Sequence, residues 1–382
     1  MSMTFKKTEV SLIRKMTEEC DHYGGLNLGQ GLCTLPPHPA VMRAAEQAIK
    51  DGHNSYVSAQ GISELRRALS RKLLATNSIE ADADTEILVT SGATGGYIAA
   101  LFAVCKPGDP IVLVEPFYGY HSLLAQQAGL DIHTLEITNG GPNALREQLD
   151  VRTDIARAKA IVICTPSNPS GRVFSREELL VILDWAEANN VWIITDETYE
   201  YYVYDGRRHV SPASIAGRDA KVISIFSFSK TYSVPGWRLG YLIAPQGLLP
   251  RLITLHDRFY ICPPTPFQWA ALAALNLDNS YYMGLQNEFA DRRDLLCKAL
   301  AGTPLKPVVP AGAYYLWVDI KELGLKTAFD ASMHILKVAG VASVPGSAFF
   351  ASDAGERWIR FCFAVTQSDL EQAAHQLSRR LS

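Results

Sequence analysis

A chain of 382 residues exceeds what one small hydrophobic core accommodates, so two compact units, one large and one lesser, are expected. Hydrophobic residues at 48%, charged residues at 20% and a net charge of −3 leave no electrostatic case for nucleic acid or an anionic membrane as partner. No apolar stretch is long enough to span a bilayer, residues 1–7 lack the apolar centre of a signal peptide, and seven cysteines are scattered without a C-x-x-C pair. Neither a disulfide framework nor a metal site is therefore expected, but reduced thiols in a cytoplasm are.

In chain order, a segment 1–45 comes first. It contains the breaker Pro36-Pro37-His38-Pro39 and is expected to pack with a later, smaller unit. Between 46 and 280, apolar runs at 86–90, 110–114, 131–135, 160–164, 191–195, 222–226 and 239–244 read as strands. They alternate with helical patterns at 97–104, 121–128 and 176–189. Ser175 followed by Glu178 reads as a capping box for the last of these. The alternation predicts an α/β fold, a large domain on a mainly parallel seven-stranded sheet. From 281 to 382 follow a charged helix at 281–300, strand-like runs at 313–320, 341–344 and 358–363, a helix at 329–338 and a last helix from 368, together a smaller α+β domain. No Gly/Ser-rich linker divides the two, so a rigid pair joined by a long helix is expected.

Several strand ends carry chemistry. Val89-Thr90-Ser91-Gly92-Ala93-Thr94-Gly95-Gly96 joins a strand to a helix, where backbone amides and the macrodipole form an anion site and glycines permit close approach. It has neither G-x-G-x-x-G nor the Walker pattern, against dinucleotide or triphosphate binding. Thr165-Pro166-Ser167-Asn168-Pro169-Ser170-Gly171 is a proline-braced turn. Asp196 closes the run 191–195, where α/β sheets bind ligands, although a helix N-cap fits the spacing equally well. Lys230 follows the buried run 222–226; desolvation there favours the neutral amine that a Schiff base requires, and Ser227, Ser229 and Arg238 could hold a phosphate. Arg360 stands in the apolar strand around 358–363, and a buried guanidinium needs a carboxylate from protein or from ligand.

The stretch from Ser227 to Tyr241, with Gly236-Trp237-Arg238-Leu239-Gly240, closely resembles the lysine signature of the class I aminotransferases, the fold-type I family that uses pyridoxal 5′-phosphate (PLP). The other motifs stand in family order from about Leu26 to Ala364. The resemblance implies that Lys230 holds PLP as a Schiff base, the internal aldimine. Gly92, Ala93 and Thr94 with Ser227, Ser229 and Arg238 would cradle the phosphate. Asp196 would keep the pyridine nitrogen protonated, Tyr199 and Asn168 would donate to the ring oxygen, and Tyr118 in Glu115-Pro116-Phe117-Tyr118 would stack on the ring. Tyr56 in Asn54-Ser55-Tyr56 would reach the phosphate of a neighbouring subunit, implying a homodimer with shared active sites. Arg360 would fork the substrate α-carboxylate, with Asn168 on the same side and Gly31 of Leu28-Gly29-Gln30-Gly31 lying against it. The implied reaction moves the amino group of an L-amino acid to a 2-oxo acid.

One departure matters. Where the family has an apolar residue and then Pro-Asp-Phe, this chain has Leu32-Cys33-Thr34-Leu35 on the substrate side. That keeps open a PLP enzyme of the same fold with another outcome: elimination, replacement, cyclisation or oxidation. Leu-Gly-Gln-Gly resembles the kynurenine and glutamine transaminases, but four residues do not fix a substrate. A PLP-sensing transcriptional regulator is disfavoured, since the resemblance begins by about residue 25 and the chain is slightly acidic.

Overall fold

The computed structural model describes residues 11–137 and 140–381. Its contacts define two units, one of residues up to Leu32 with Asp291–Pro310 and Tyr314–Ser382, the other of Cys33–Ala290 with Ala311–Ala313. The sequence suggested breaks at 45/46 and 280/281. The first falls earlier because the helix Pro39–Lys50 packs on the helix Thr265–Leu275 of the large unit. The second falls inside one continuous helix, Asn279–Leu300, which contains no proline.

Among the described residues of the large unit, seven strands form one sheet: β1 (Ile87–Thr90), β2 (Pro110–Glu115), β3 (Asp131–Glu136), β4 (Ala160–Cys164), β5 (Trp192–Asp196), β6 (Val222–Ser227) and β7 (Gly240–Ile243). Their order is β1-β7-β6-β5-β4-β2-β3. β2 to β6 pair in parallel, and β7 runs antiparallel to both its neighbours, β1 and β6. Runs such as Ala-Ile-Val-Ile-Cys in β4 are apolar at every position because both faces are covered, and β-branched side chains suit that pleated interior. Alternate residues feed opposite cores. Val162 and Ile194 join the cluster that includes Ala99 and Ala100 of the helix Gly92–Val104. Ile161, Ile163 and Ile193 join the one that includes Leu179 and Ile182 of the helix Arg176–Ala188.

The capping box forms as read: Glu178 N–H donates to Ser175 Oγ at 3.2 Å, and Ser175 N–H donates to Glu178 Oε2 at 2.9 Å. The helix expected at 97–104 starts earlier, at Gly92. Buried residues surround its axis, so no amphipathic stripe marks where it begins.

In the smaller unit, the strands Val344–Pro345, Trp358–Cys362, Tyr315–Asp319 and Lys306–Val308 form an antiparallel sheet in that order. The run 341–344, expected as one strand, is split. Val341–Ala342 pairs in parallel with Leu26–Asn27, and the chain then changes partner at Ser343 so that Val344–Pro345 joins Trp358–Cys362. Met16 and Cys20 of the helix Leu12–Tyr23 pack with Leu336 and Ala342. No helix among the described residues is long and apolar enough to cross a membrane.

Candidate active site

Parallel strands present their C-terminal ends on one edge of the sheet, and β2, β4, β5 and β6 lie side by side. Tyr118 follows β2, Asn168 follows β4, Asp196 ends β5, and Lys230 follows β6. Cys164 of β4 is in register with Asp196 of β5. Residues 62 positions apart in the chain, Asn168 and Lys230, thus emerge from one edge.

Asp196 is held from two sides. Its Oδ2 lies 3.1 Å from His121 Nε2, and its Oδ1 accepts the Thr198 N–H at 3.1 Å. Burial, the largest single influence, pushes its pKa up, but the His121 hydrogen bond and charge together with the Thr198 contacts outweigh it, and the carboxyl titrates below its ordinary range. The cap reading was therefore half the truth: one oxygen caps a turn, and the other engages an imidazole. His121 is buried against Tyr97, with centroids 4.6 Å apart, and meets Tyr118 edge-on at 5.4 Å.

The turn after Asp196 is braced from behind. Glu197, wholly buried, accepts from Thr195 Oγ1 at 2.6 Å and Ser211 Oγ at 2.9 Å, and pairs with His209 at 2.7 Å. Glu200 pairs with Lys72 at 2.5 Å and accepts from Asn77 at 2.8 Å. Burial lowers the Lys72 pKa, with the Glu200 charge opposing. Between these anchors Tyr199 is buried, its ring edge-on to Tyr202. Asn168 is also buried, its N–H directed at Cys164 Sγ at 3.5 Å.

Lys230 is half-buried on the short helix Phe228–Thr231, which Ser227 caps by accepting the Ser229 N–H at 3.1 Å. The lysine carbonyl accepts the Tyr202 hydroxyl at 2.8 Å, and the Tyr281 hydroxyl donates to Thr231 O at 2.6 Å. Cys33, from the departing segment, lies with its Sγ 3.4 Å from Ser233 Oγ, three residues past Lys230.

Strand register builds an anion cradle beside this turn. Gly240 is opposite Thr90 on one side and Ser227 on the other. That brings the Ser91–Thr94 turn and the Ser227–Ser229 turn to either side of one strand, at about 4.8 Å per strand spacing. A Cβ on Gly240 would lie 2.7 Å from Phe226 O and 2.8 Å from Ala93 N. Arg238, in the left-handed conformation at φ 51°, brings its guanidinium over Gly92, where an added Cβ would sit 2.6 Å from Nη2. Two buried serines, the helix-start amides and a guanidinium are grouped around Gly92 and Gly240, where any side chain would collide with backbone or with the guanidinium. These residues fit a phosphate group, and the carboxylate of Asp196 fits a protonated ring nitrogen.

In the smaller unit, Arg360 is 1% exposed on the strand Trp358–Cys362. Its Nη2 donates to Gly29 O at 2.6 Å, and its guanidinium rests 4.3 Å from the Tyr315 ring centroid and 4.9 Å from that of Phe349. Tyr314 donates to Gly31 O at 3.2 Å, and a side chain at Gly31 would collide with the Tyr315 hydroxyl. Tyr56, in the large unit, is 77% exposed.

Three contributors were not found from sequence: His121, Tyr202 and His256, whose Nε2 accepts the Ser91 N–H at 2.9 Å. A helical spacing of three from Tyr118 was the available signal for His121.

A PLP-binding α/β fold is the class that this sheet edge and cradle define, and comparison with known proteins specifies it. Residues 23–377 match the family described as aminotransferase class I and II, and the chain belongs to that family. It is 33% identical to an aspartate aminotransferase of Pyrococcus abyssi, over 93% of this chain and 91% of that one. It is 32% identical to aromatic-amino-acid aminotransferase 2 of Thermococcus litoralis, over 97% and 95%. The solved structure of N-succinyldiaminopimelate aminotransferase from Mycobacterium tuberculosis superposes with a TM-score of 0.90 at 31% identity, covering 97% of each chain. The protein is a fold-type I, PLP-dependent aminotransferase acting on amino and 2-oxo acids.

Proposed function

We propose that the enzyme takes its amino group from an L-α-amino acid, with Lys230 as both the point of covalent attachment for PLP and the base. When bound, PLP supplies an electron sink for the pair left on the substrate carbon as a proton departs. The Lys230 amine would move that proton. Its backbone is pinned by Tyr202, which limits where the amine can swing. Asp196, kept ionised through His121 and Thr198, would hold a proton on the ring nitrogen, and Tyr199 and Asn168 would donate to the ring oxygen. Tyr118 would cover the ring face, and Gly92, Ala93, Thr94, Ser227, Ser229 and Arg238 would hold the phosphate.

Arg360 is the proposed fork for the substrate α-carboxylate, because a buried guanidinium seated on two rings offers directional, water-poor donors, and Gly31 keeps the neighbouring backbone bare. The larger unit, Cys33–Ala290 with Ala311–Ala313, is proposed as the PLP-binding domain, and the segment up to Leu32 with Asp291–Pro310 and Tyr314–Ser382 as the small one. The exposed Tyr56 fits a homodimer in which it serves the partner's phosphate. The seven free cysteines fit a reducing, cytoplasmic setting.

The observation that carries this reading is the guanidinium of Arg238 over Gly92, registered beside the Lys230 turn. Borohydride reduction of the purified enzyme should fix the cofactor on Lys230. With unreduced enzyme, a panel of L-amino acids should yield more than one equivalent of 2-oxo acid per site only when a 2-oxo acid acceptor is present. Release of ammonia without acceptor would instead assign an elimination, the alternative left open by Leu32-Cys33-Thr34-Leu35.

A further inference from the structure

His256 occupies a position where an apolar side chain would be expected. It is 0% exposed, on the face of the helix Leu249–Tyr260 that also carries the buried Leu249 and Leu252. Its Nε2 accepts the N–H of Ser91, the N-cap of the helix Gly92–Val104, whose own side chain makes no capping bond. The first amides of a helix have no partner within it. His256 takes one, and the next three belong to Gly92, Ala93 and Thr94. The approach is close: a Cβ on Gly95 would lie 3.5 Å from His256 Nε2 and 3.3 Å from the Tyr260 ring.

Accepting at Nε2 puts the ring proton on Nδ1. That nitrogen is buried and meets no hydrogen-bond partner among the described residues. An unpaired buried donor is destabilising, so the imidazole is a poor choice for stability alone. Burial also lowers its pKa to about 4, with Asp257 opposing, so it remains an acceptor at neutral pH.

We propose that His256 is a positioning residue for the cofactor phosphate: by capping the Ser91 amide it fixes the first turn of the helix Gly92–Val104, so that the amides after it converge on the anion. This rests on the phosphate assignment of that turn made above, and the test separates the two. The full-length enzyme, freed of cofactor, is titrated with PLP, with inorganic phosphate as a competitor, in four variants. His256→Leu and His256→Asn lack an acceptor at the Nε2 position; His256→Gln has one; Arg238→Gln reports on the cradle itself.

Leu and Asn should raise the PLP Kd about tenfold or more and shift the phosphorus NMR resonance of bound PLP, while Gln stays within about threefold of wild type. The Leu variant should keep a Tm close to wild type, because loss of the unpaired Nδ1–H offsets leaving the Ser91 amide without its acceptor, so affinity and stability part company. Should Leu fail to fold, the contrast between Asn and Gln decides. Wild-type affinity in Leu and Asn, or a Gln variant as weak as Asn, would overturn the inference while a weakened Arg238→Gln leaves the cradle standing. An Arg238→Gln variant of unchanged affinity would overturn the cradle assignment instead.

Discussion

The carboxylate of Asp196 is shared between two tasks that usually compete. Thr198 N–H draws one oxygen into a turn cap, which any aspartate at a strand end could provide, while His121 draws on the other. The imidazole is itself fixed by Tyr97 and Tyr118, so the carboxylate is oriented by packing rather than by its own torsions. Its pKa is depressed, so it is ionised at neutral pH and loses its charge only as pH falls through that lowered value. Asp196→Ala should therefore reduce kcat by about 100-fold or more, while the PLP Kd changes much less, because the charge matters most as negative charge develops on the ring. A slowed Cα-deuterium exchange in single-turnover experiments would locate the defect at proton removal. Turnover close to wild type would demote Asp196 to a cap.

At the scale of elements, the cradle is made by register. β7 runs against β1 and β6, and its first residue, Gly240, is the partner of both Thr90 and Ser227. Gly240 is packed on both sides, because Phe226 O of β6 and the backbone of Gly92 and Ala93 lie within 3 Å of where a Cβ would stand. Gly240→Ala should force the turns apart, lower stability by about 1–3 kcal/mol in urea unfolding of the cofactor-free protein, and weaken PLP binding as well. Equal unfolding midpoints would show that the strands have slack there. The two elements read less well from sequence share a cause. The helix Gly92–Val104 is buried all round and shows no stripe, and the run 341–344 serves two sheets in turn, which a run of apolar residues does not announce.

For the whole molecule, the exposed Tyr56 carries the prediction that tests the proposed dimer. If it serves the partner's site, Tyr56→Ala and Lys230→Ala, each deficient alone, should complement when unfolded together and reassembled at limiting PLP. Random pairing should then restore about a quarter of wild-type sites, since half the dimers are mixed and each of these holds one intact site. No recovery would place Tyr56 in its own subunit's chemistry or in none. Tyr118, Asn168, Asp196, Lys230 and the Ser91–Thr94 turn were picked out in sequence by their resemblance to the family's motifs, and each follows an apolar run, at the strand ends where α/β sheets expose backbone and side chains to a ligand. The α/β class and the parallel sheet were determined at that level by local periodicity, and the PLP chemistry by the resemblance of contiguous motifs to the family's. His121, Tyr202 and His256 were not, because their partners lie 75, 28 and 165 residues away in the chain. Which oxygen of Asp196 meets His121, which amide of the helix start His256 has already taken, and which glycine must stay bare once β7 lies between β1 and β6 are decided only by the tertiary structure, since each depends on atoms that the sequence separates and the fold brings within 4 Å.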